Sequence, residues 1–218
     1  MSNTDSFIDE VTEEVRRDRV FDLARRYGWI AVLAVLLLVG GAAWREYTKA
    51  QEISAAQAFG DAILAALKDD APSDRITALH AITPSQEGGE AILSMLIAAE
   101  EANADNDADA TATLQAIADN PQVPMIYRQI ASYKALSRAA GTLSAEDRRA
   151  GFEALSVPGQ PLRLLAEEQL ALIDIETGDT DAAISRLERI IADSEVTAGL
   201  RRRASQLIVS LGGTLGAA

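Results

Sequence analysis

The sequence predicts an all-α protein, a single N-terminal transmembrane helix followed by an array of paired helices. Three observations lead there. Residues 27–44, YGWIAVLAVLLLVGGAAW, hold no charged side chain. The rest of the 218-residue chain is alanine-rich, with 5% aromatics, few β-branched runs and no cysteine, a composition in which helix outcompetes strand. Beyond the apolar run, similar four-residue marks recur at spacings of 35, 38 and 35, the range of helix–turn–helix repeats.

Residues 5–26 place Phe7, Val11 and Val15 at i, i+4 and i+8 with Ile8 beside them, a narrow apolar stripe on a charged helix. Asp5 or Ser6 is its candidate cap; acids lead and Arg25 and Arg26 close it, as the helix dipole prefers. A solvated juxtamembrane helix and a cytoplasmic docking helix fit this pattern equally.

Residues 27–44 measure roughly 27 Å as a helix, close to the roughly 30 Å hydrocarbon core of a bilayer. Leu36 and Leu37 lie at the centre of the run, and Tyr27, Trp29 and Trp44 stand at its ends as an aromatic belt. Arg16, Arg17, Arg19, Arg25 and Arg26 precede the span, against Arg45 and Lys49 after it. The excess of cations keeps the N-terminus cytoplasmic and sends the rest across, into a periplasm where the host has one. Gly41-Ala42-Ala43 resembles a signal-peptidase site, but the charged segment before the run is too long and carries seven acids, which favours an uncleaved anchor.

The expected division is therefore a cytoplasmic segment at 1–26, the span at 27–44, a periplasmic repeat domain at 45–211 and a flexible tail at 212–218. The anchor helix is expected to continue through Arg45 to Leu67, with Ile53, Ala56, Phe59 and Ile63 on one side. From Ala50 onward 25 acids oppose 13 bases, a net of −12 that repels phosphate backbones and excludes nucleic acid as a natural partner.

The recurring marks are Leu79-His80-Ala81-Ile82, Leu114-Gln115-Ala116-Ile117, Phe152-Glu153-Ala154-Leu155 and Leu187-Glu188-Arg189-Ile190. Helices at about 90–104, 125–140 and 161–177 fall between them, so each repeat is a pair of helices. The second helix of each pair has a cap candidate in Ser73, Asp107, Ser144 or Thr180. Small residues at Ala98, Ala110, Ala171 and Ala183 let paired helices approach, while leucine and isoleucine fill the seam. In this spacing the second and fourth units resemble tetratricopeptide repeats. The first and third depart from it, with Arg75 and Arg148 where the small residue belongs. Residues 198–211 place Leu200, Ala204, Leu207, Ile208 and Leu211 on one face, suited to closing the array. The Arg201-Arg202-Arg203 triplet reads as a solvated outer face.

Chemistry is scarce. Asp105, Asp107 and Asp109 alternate like the start of a calcium loop, but Ala110 and Ala116 occupy the positions that need glycine and glutamate. His80, the one histidine, cannot build a histidine-based metal site or a convincing Ser-His-Asp set alone. Gly88-Gly89 lacks the Lys-Ser or Lys-Thr of a phosphate-binding loop. Glu100-Glu101 and Glu167-Glu168 point to different helix faces and read as solvated. No catalytic, cofactor or metal residues are expected, and the chain reads as a non-enzyme. The candidate protein-binding groove lies on the first helices of the pairs, at Tyr127, Arg128, Tyr133, Lys134 and Arg163, with packing between repeats the competing role for the two tyrosines.

The layout resembles the YfgM-like family of ancillary SecYEG translocon subunits. The resemblance rests on Asp9-Glu10-Val11, Glu13-Glu14-Val15-Arg16-Arg17-Asp18, Arg26-Tyr27-Gly28 and Trp44-Arg45-Glu46-Tyr47 around one anchor, followed by the repeat array. It implies an inner-membrane protein whose periplasmic repeats sit near the SecYEG translocon and pass unfolded exported polypeptides to chaperones, with a PpiD-like foldase as partner. An envelope scaffold for outer-membrane or cell-wall assembly shares these features. A membrane-bound regulator acting through residues 1–26 is the alternative from another class.

Overall fold

The structure, a computed structural model, describes residues 3–84 and 88–214, with side chains from Arg25 onward apart from Ala31. The side chains of Arg16, Arg17 and Arg19, on which the topology reading leans, and tail residues 215–218 lie outside the described residues. Among the described residues every regular element is helical. The chain divides into two compact units, residues 1–57 and 58–218.

The first unit is helical from Asn3 and belongs to α1 (Asn3–Ala66). One stretch of α1 is long and apolar enough to cross a membrane. Its apolar side chains face outward on every side: Leu36, Leu37 and Leu38 are 63%, 68% and 73% exposed, which in water would be a large penalty and in hydrocarbon none. At its ends Tyr27, Trp29 and Trp44 are exposed, Arg26 sits 5.9 Å from the Tyr27 ring centre, and Trp44 lies 6.5 Å from Tyr47.

The second unit opens with the last turns of α1, which runs through Gly60 without a break to Ala66. It goes on through α2 (Pro72–His80), α3 (Gly89–Asn103), α4 (Asp107–Asp119), α5 (Met125–Arg138), α6 (Ala145–Leu155), α7 (Arg163–Glu176), α8 (Thr180–Ala192) and α9 (Ala198–Ser210). A short 3-10 turn, Ala139–Gly141, follows α5. From α2 on, each helix packs on the next in sequence. The seam positions carry the core: Leu79, Leu114, Phe152 and Leu187 are at most 1% exposed, and Ala98, Ala110, Ala171 and Ala183 are buried beside them. Phe59, Ile63 and Ala66 of α1 join Leu79, Leu93 and Ile97 in the first cluster.

The helices fall into two tandem halves. Shifting α4 by 73 residues gives the bounds of α8, and the same shift carries Pro72 to Ala145 and Met125 to Ala198, the first residues of α2, α6, α5 and α9. Buried positions follow the register: Ala131 matches Ala204, Ala135 matches Ile208, and Ile97 matches Leu170. Even the left-handed backbone repeats. Asp105 (φ 59°) and Gly178 (φ 82°) occupy the same place after α3 and α7, where Asn106 N–H reaches the Glu101 carbonyl and Asp179 N–H the Asp174 carbonyl, closing each helix with a Schellman turn. Asp105 thus serves a helix end.

The capping expectations need correction at three of four helices. Ser144 caps α6, its Oγ accepting from Asp147 N–H at 3.0 Å. Thr180 is the first residue of α8, and Asp179 caps it instead through Ala182 N–H at 3.1 Å. Asn106 holds the cap position before Asp107, and Ala71 that before α2, because Pro72 starts the helix with its fixed φ and leaves Ser73 inside the first turn.

Candidate functional site

The odd-numbered helices α5, α7 and α9 are linked side by side. Gln169 of α7 donates to the Tyr133 hydroxyl of α5 at 3.1 Å, and one residue earlier Glu168 accepts from Nε and Nη2 of Arg203 on α9, each at 2.7 Å. These links span 36 and 35 residues, one repeat each, so they run in column along the helices. The bidentate fork fixes α9 against α7 in orientation as well as distance. Its hydrogen bond to Glu168 raises the Arg203 guanidinium above its usual value, against a smaller opposing effect of burial.

Two open grooves flank the Glu168–Arg203 pair. One, of about 480 Å³, lies between the start of α7 and the α8–α9 connection, with Arg163, Leu164, Leu165, Leu200 and Arg203 among its walls. Arg163 bridges Asp193 and Glu195 at 2.8 Å each, which raises its guanidinium, the Glu195 hydrogen bond contributing most. The Asp193 carboxyl is lowered, first by the Glu195 backbone N–H and then by Arg163. The other, of about 540 Å³, is walled by Gln169, Leu172, Gln206 and Leu207.

Below this surface arginines bind neighbouring helices together. Arg186 of α8 reaches Glu167 and Asp174 of α7, and Arg149 of α6 takes the other oxygen of Asp174. Burial works to lower the Arg186 guanidinium, but its bonds to Glu167 and Asp174 outweigh that and leave it raised. The two arginines that depart from the small-residue pattern act alike. Arg75 of α2 bonds Glu100 of α3 at 2.6 Å, and Arg148 of α6 bonds Glu176 of α7, each reaching into the following helix. Where alanine stands instead, in α4 and α8, the residue before the seam leucine reaches back: Thr113 to Glu101 and Arg186 to Asp174.

The five groove candidates separate. Tyr127 is half-buried against the α3–α5 cluster, its ring over Gly88, and Arg128 donates to the Ala118 carbonyl at the end of α4. Tyr133 stands edge-on to Phe152 at 5.7 Å while keeping its hydroxyl on Gln169. Lys134 is exposed, and Arg163 lines the first groove. Sequence reasoning missed Glu168, Gln169 and Gln206. It took Glu100, Glu101, Glu167 and Glu168 as solvated, whereas all four are paired and Glu168 is 6% exposed. The repeat-length spacing of Glu168 and Arg203 was the available signal. Of the arginine triplet, Arg203 is committed to Glu168 and Arg202 faces outward.

No group of acids, histidines or cysteines able to hold a metal ion occurs among the described residues. Grooves of this openness, walled by leucines with a few fixed charges, suit a segment of another protein better than a small molecule. No protein family, curated protein or solved structure matches the chain.

Proposed function

We propose that the protein is an anchored scaffold. Residues 27–44 hold it in the inner membrane with the N-terminus in the cytoplasm, and the helix-pair unit, a tetratricopeptide-like solenoid, gathers other proteins on the periplasmic side. The observation that carries this reading is the fully exposed apolar stretch of α1 in one chain with a unit whose odd-numbered helices leave leucine-walled grooves open. In the more specific form suggested by the resemblance to YfgM-like proteins, the unit stands beside the SecYEG translocon. There it passes unfolded exported polypeptides to a PpiD-like chaperone.

The mechanism is confinement. A tether holds weak grooves at high effective concentration near their clients, so modest contacts suffice without any new bond. An acidic surface keeps such a unit soluble and repels nucleic acid.

Two experiments test the reading. The chain has no cysteine, so single cysteines at Ser6 and Ser194 give clean topology reporters. In sealed cells a membrane-impermeant maleimide should label Ser194→Cys and spare Ser6→Cys; the reverse pattern overturns the orientation. A photo-crosslinker at Leu172 or Leu165 should yield adducts with translocon subunits and the chaperone, and adducts with cell-wall or outer-membrane assembly machinery alone would reject the translocon form.

A further inference from the structure

The tandem register assigns a partner to a helix face that stands open. In the first half, α5 is covered by α6 along one stripe. Gln129 bonds Gln160, which follows α6, Tyr133 meets Phe152, and the Leu136 methyls lie against Gly151. A shift of 73 residues carries Gln129, Tyr133 and Leu136 to Arg202, Gln206 and Val209 of α9. With Ser205 and Ser210 these line a shallow groove of about 540 Å³, spaced i, i+3, i+4, i+7 and i+8 along one face. Val209 is 58% exposed, and Arg202 and Gln206 face outward.

We infer that this α9 stripe docks an acidic amphipathic helix of a partner protein, seated as α6 sits on α5, with a small residue over Val209 and a carboxylate on Arg202. Three observations select that occupant. A helix covers the equivalent stripe on α5, and the crossing there depends on a glycine. Seven of the eleven arginines of this unit form ion pairs among the described residues; Arg202 is one of the four that do not, and the one of these four that lines the stripe. The stripe itself contains no carboxylate, so a second copy packed on it symmetrically would leave both arginines unpaired. Tyr133 and Leu136 become glutamine and valine on α9, which makes the open face more polar. The inference rests on the register and stands whether or not the protein works at a translocon.

The test uses the full-length chain in nanodiscs and a fluorescein-labelled peptide of residues 143–160 carrying Gln160→Glu, which keeps Gly151 and Phe152 and puts a carboxylate where Gln160 meets Gln129, the position that Arg202 takes on α9. Fluorescence anisotropy should show saturable binding that weakens with salt. Arg202→Glu on the protein, or Gly151→Leu on the peptide, should each weaken it at least about tenfold. Arg202→Glu alters an exposed side chain, and an unchanged melting curve confirms that the fold is intact. Saturable binding unaffected by Arg202→Glu, or no saturable binding, overturns the inference. So does displacement of the peptide by phosphatidylglycerol vesicles, which would give the stripe to lipid, or a dimer in sedimentation that Val209→Asp dissolves.

Discussion

The δ-carbons of Leu136 on α5 fill the space that a side chain on Gly151 of α6 would need: a Cβ there would stand 2.6 Å from one of them. Gly151 is thus what lets α6 lie against α5. Gly151→Ala gains up to about 1 kcal/mol of helix propensity but overpacks the seam by about 1–3 kcal/mol, so the variant should be the less stable. Denaturant titration of the pair checks it, because Leu136→Ala should remove the penalty and make the two changes strongly non-additive. Additive effects would show that the seam adapts.

Leu187 is completely buried with Ala171, Ile190, Leu200, Ala204 and Ile208. Leu187→Ala should cost about 2–5 kcal/mol by leaving a cavity where three helices meet. The midpoint of chemical unfolding of the full chain in detergent, followed by circular dichroism, reads that loss. A change under about 1 kcal/mol would mean that the site collapses around the smaller side chain.

Arg148 is 6% exposed, its Nε has no hydrogen-bond partner, and its terminal nitrogen is held by Glu176. A buried cation with one orphaned donor is a poor source of stability. Arg148→Met, similar in length and apolar, should leave the protein as stable or more so, whereas Glu176→Ala strands the charge and should cost about 1.5–3 kcal/mol. If both variants lose stability alike, the arginine contributes through the pair itself.

Asp193 supplies the pH dependence of the first groove. Its carboxyl is lowered in the folded protein by the Glu195 N–H and by Arg163. Its contribution is therefore full above the unfolded value near about 3.9 and is lost as pH falls through the lowered folded value. Titration of the side-chain carbonyl carbon by NMR should place Asp193 below ordinary aspartates. In Arg163→Gln it should rise yet stay depressed, because the backbone donor remains; no movement would dissociate the two residues.

Insertion of the anchor is tested at its centre. Leu36→Arg or Leu37→Arg introduces about 2.5–3.5 kcal/mol of unfavourable transfer and should release part of the protein from membranes on carbonate extraction. Full retention of both variants would argue that the second unit binds the membrane by itself.

Much of this was legible in the sequence, because burial leaves periodic marks. Leu79, Leu114, Phe152 and Leu187, with the small residues beside them, identified the seams before any coordinates. Caps were less legible: Asp179 and Thr180 are both competent, and only backbone geometry decides between them. Glu168 and Glu176 look alike on paper, yet one is buried under Arg203 and the other is half-exposed beside Arg148, a difference set by helices 28 to 35 residues away. The doubling was hidden in the spacings. Arg75 and Arg148 read as two defects in a repeat of about 36, whereas at a period of 73 they are one conserved position of a larger unit.

That larger unit limits how such a chain can lengthen or shorten by recombination. Adding or removing 73 residues rejoins every helix to a neighbour of its own kind, arginine again reaching forward to glutamate and alanine again meeting alanine. A step of 35 or 38 would instead set an arginine where two backbones need to approach as closely as they do at Ala110 and Ala183. A change of length by a pair of repeats is therefore the one that this packing accommodates, with Arg75 and Arg148 marking the phase.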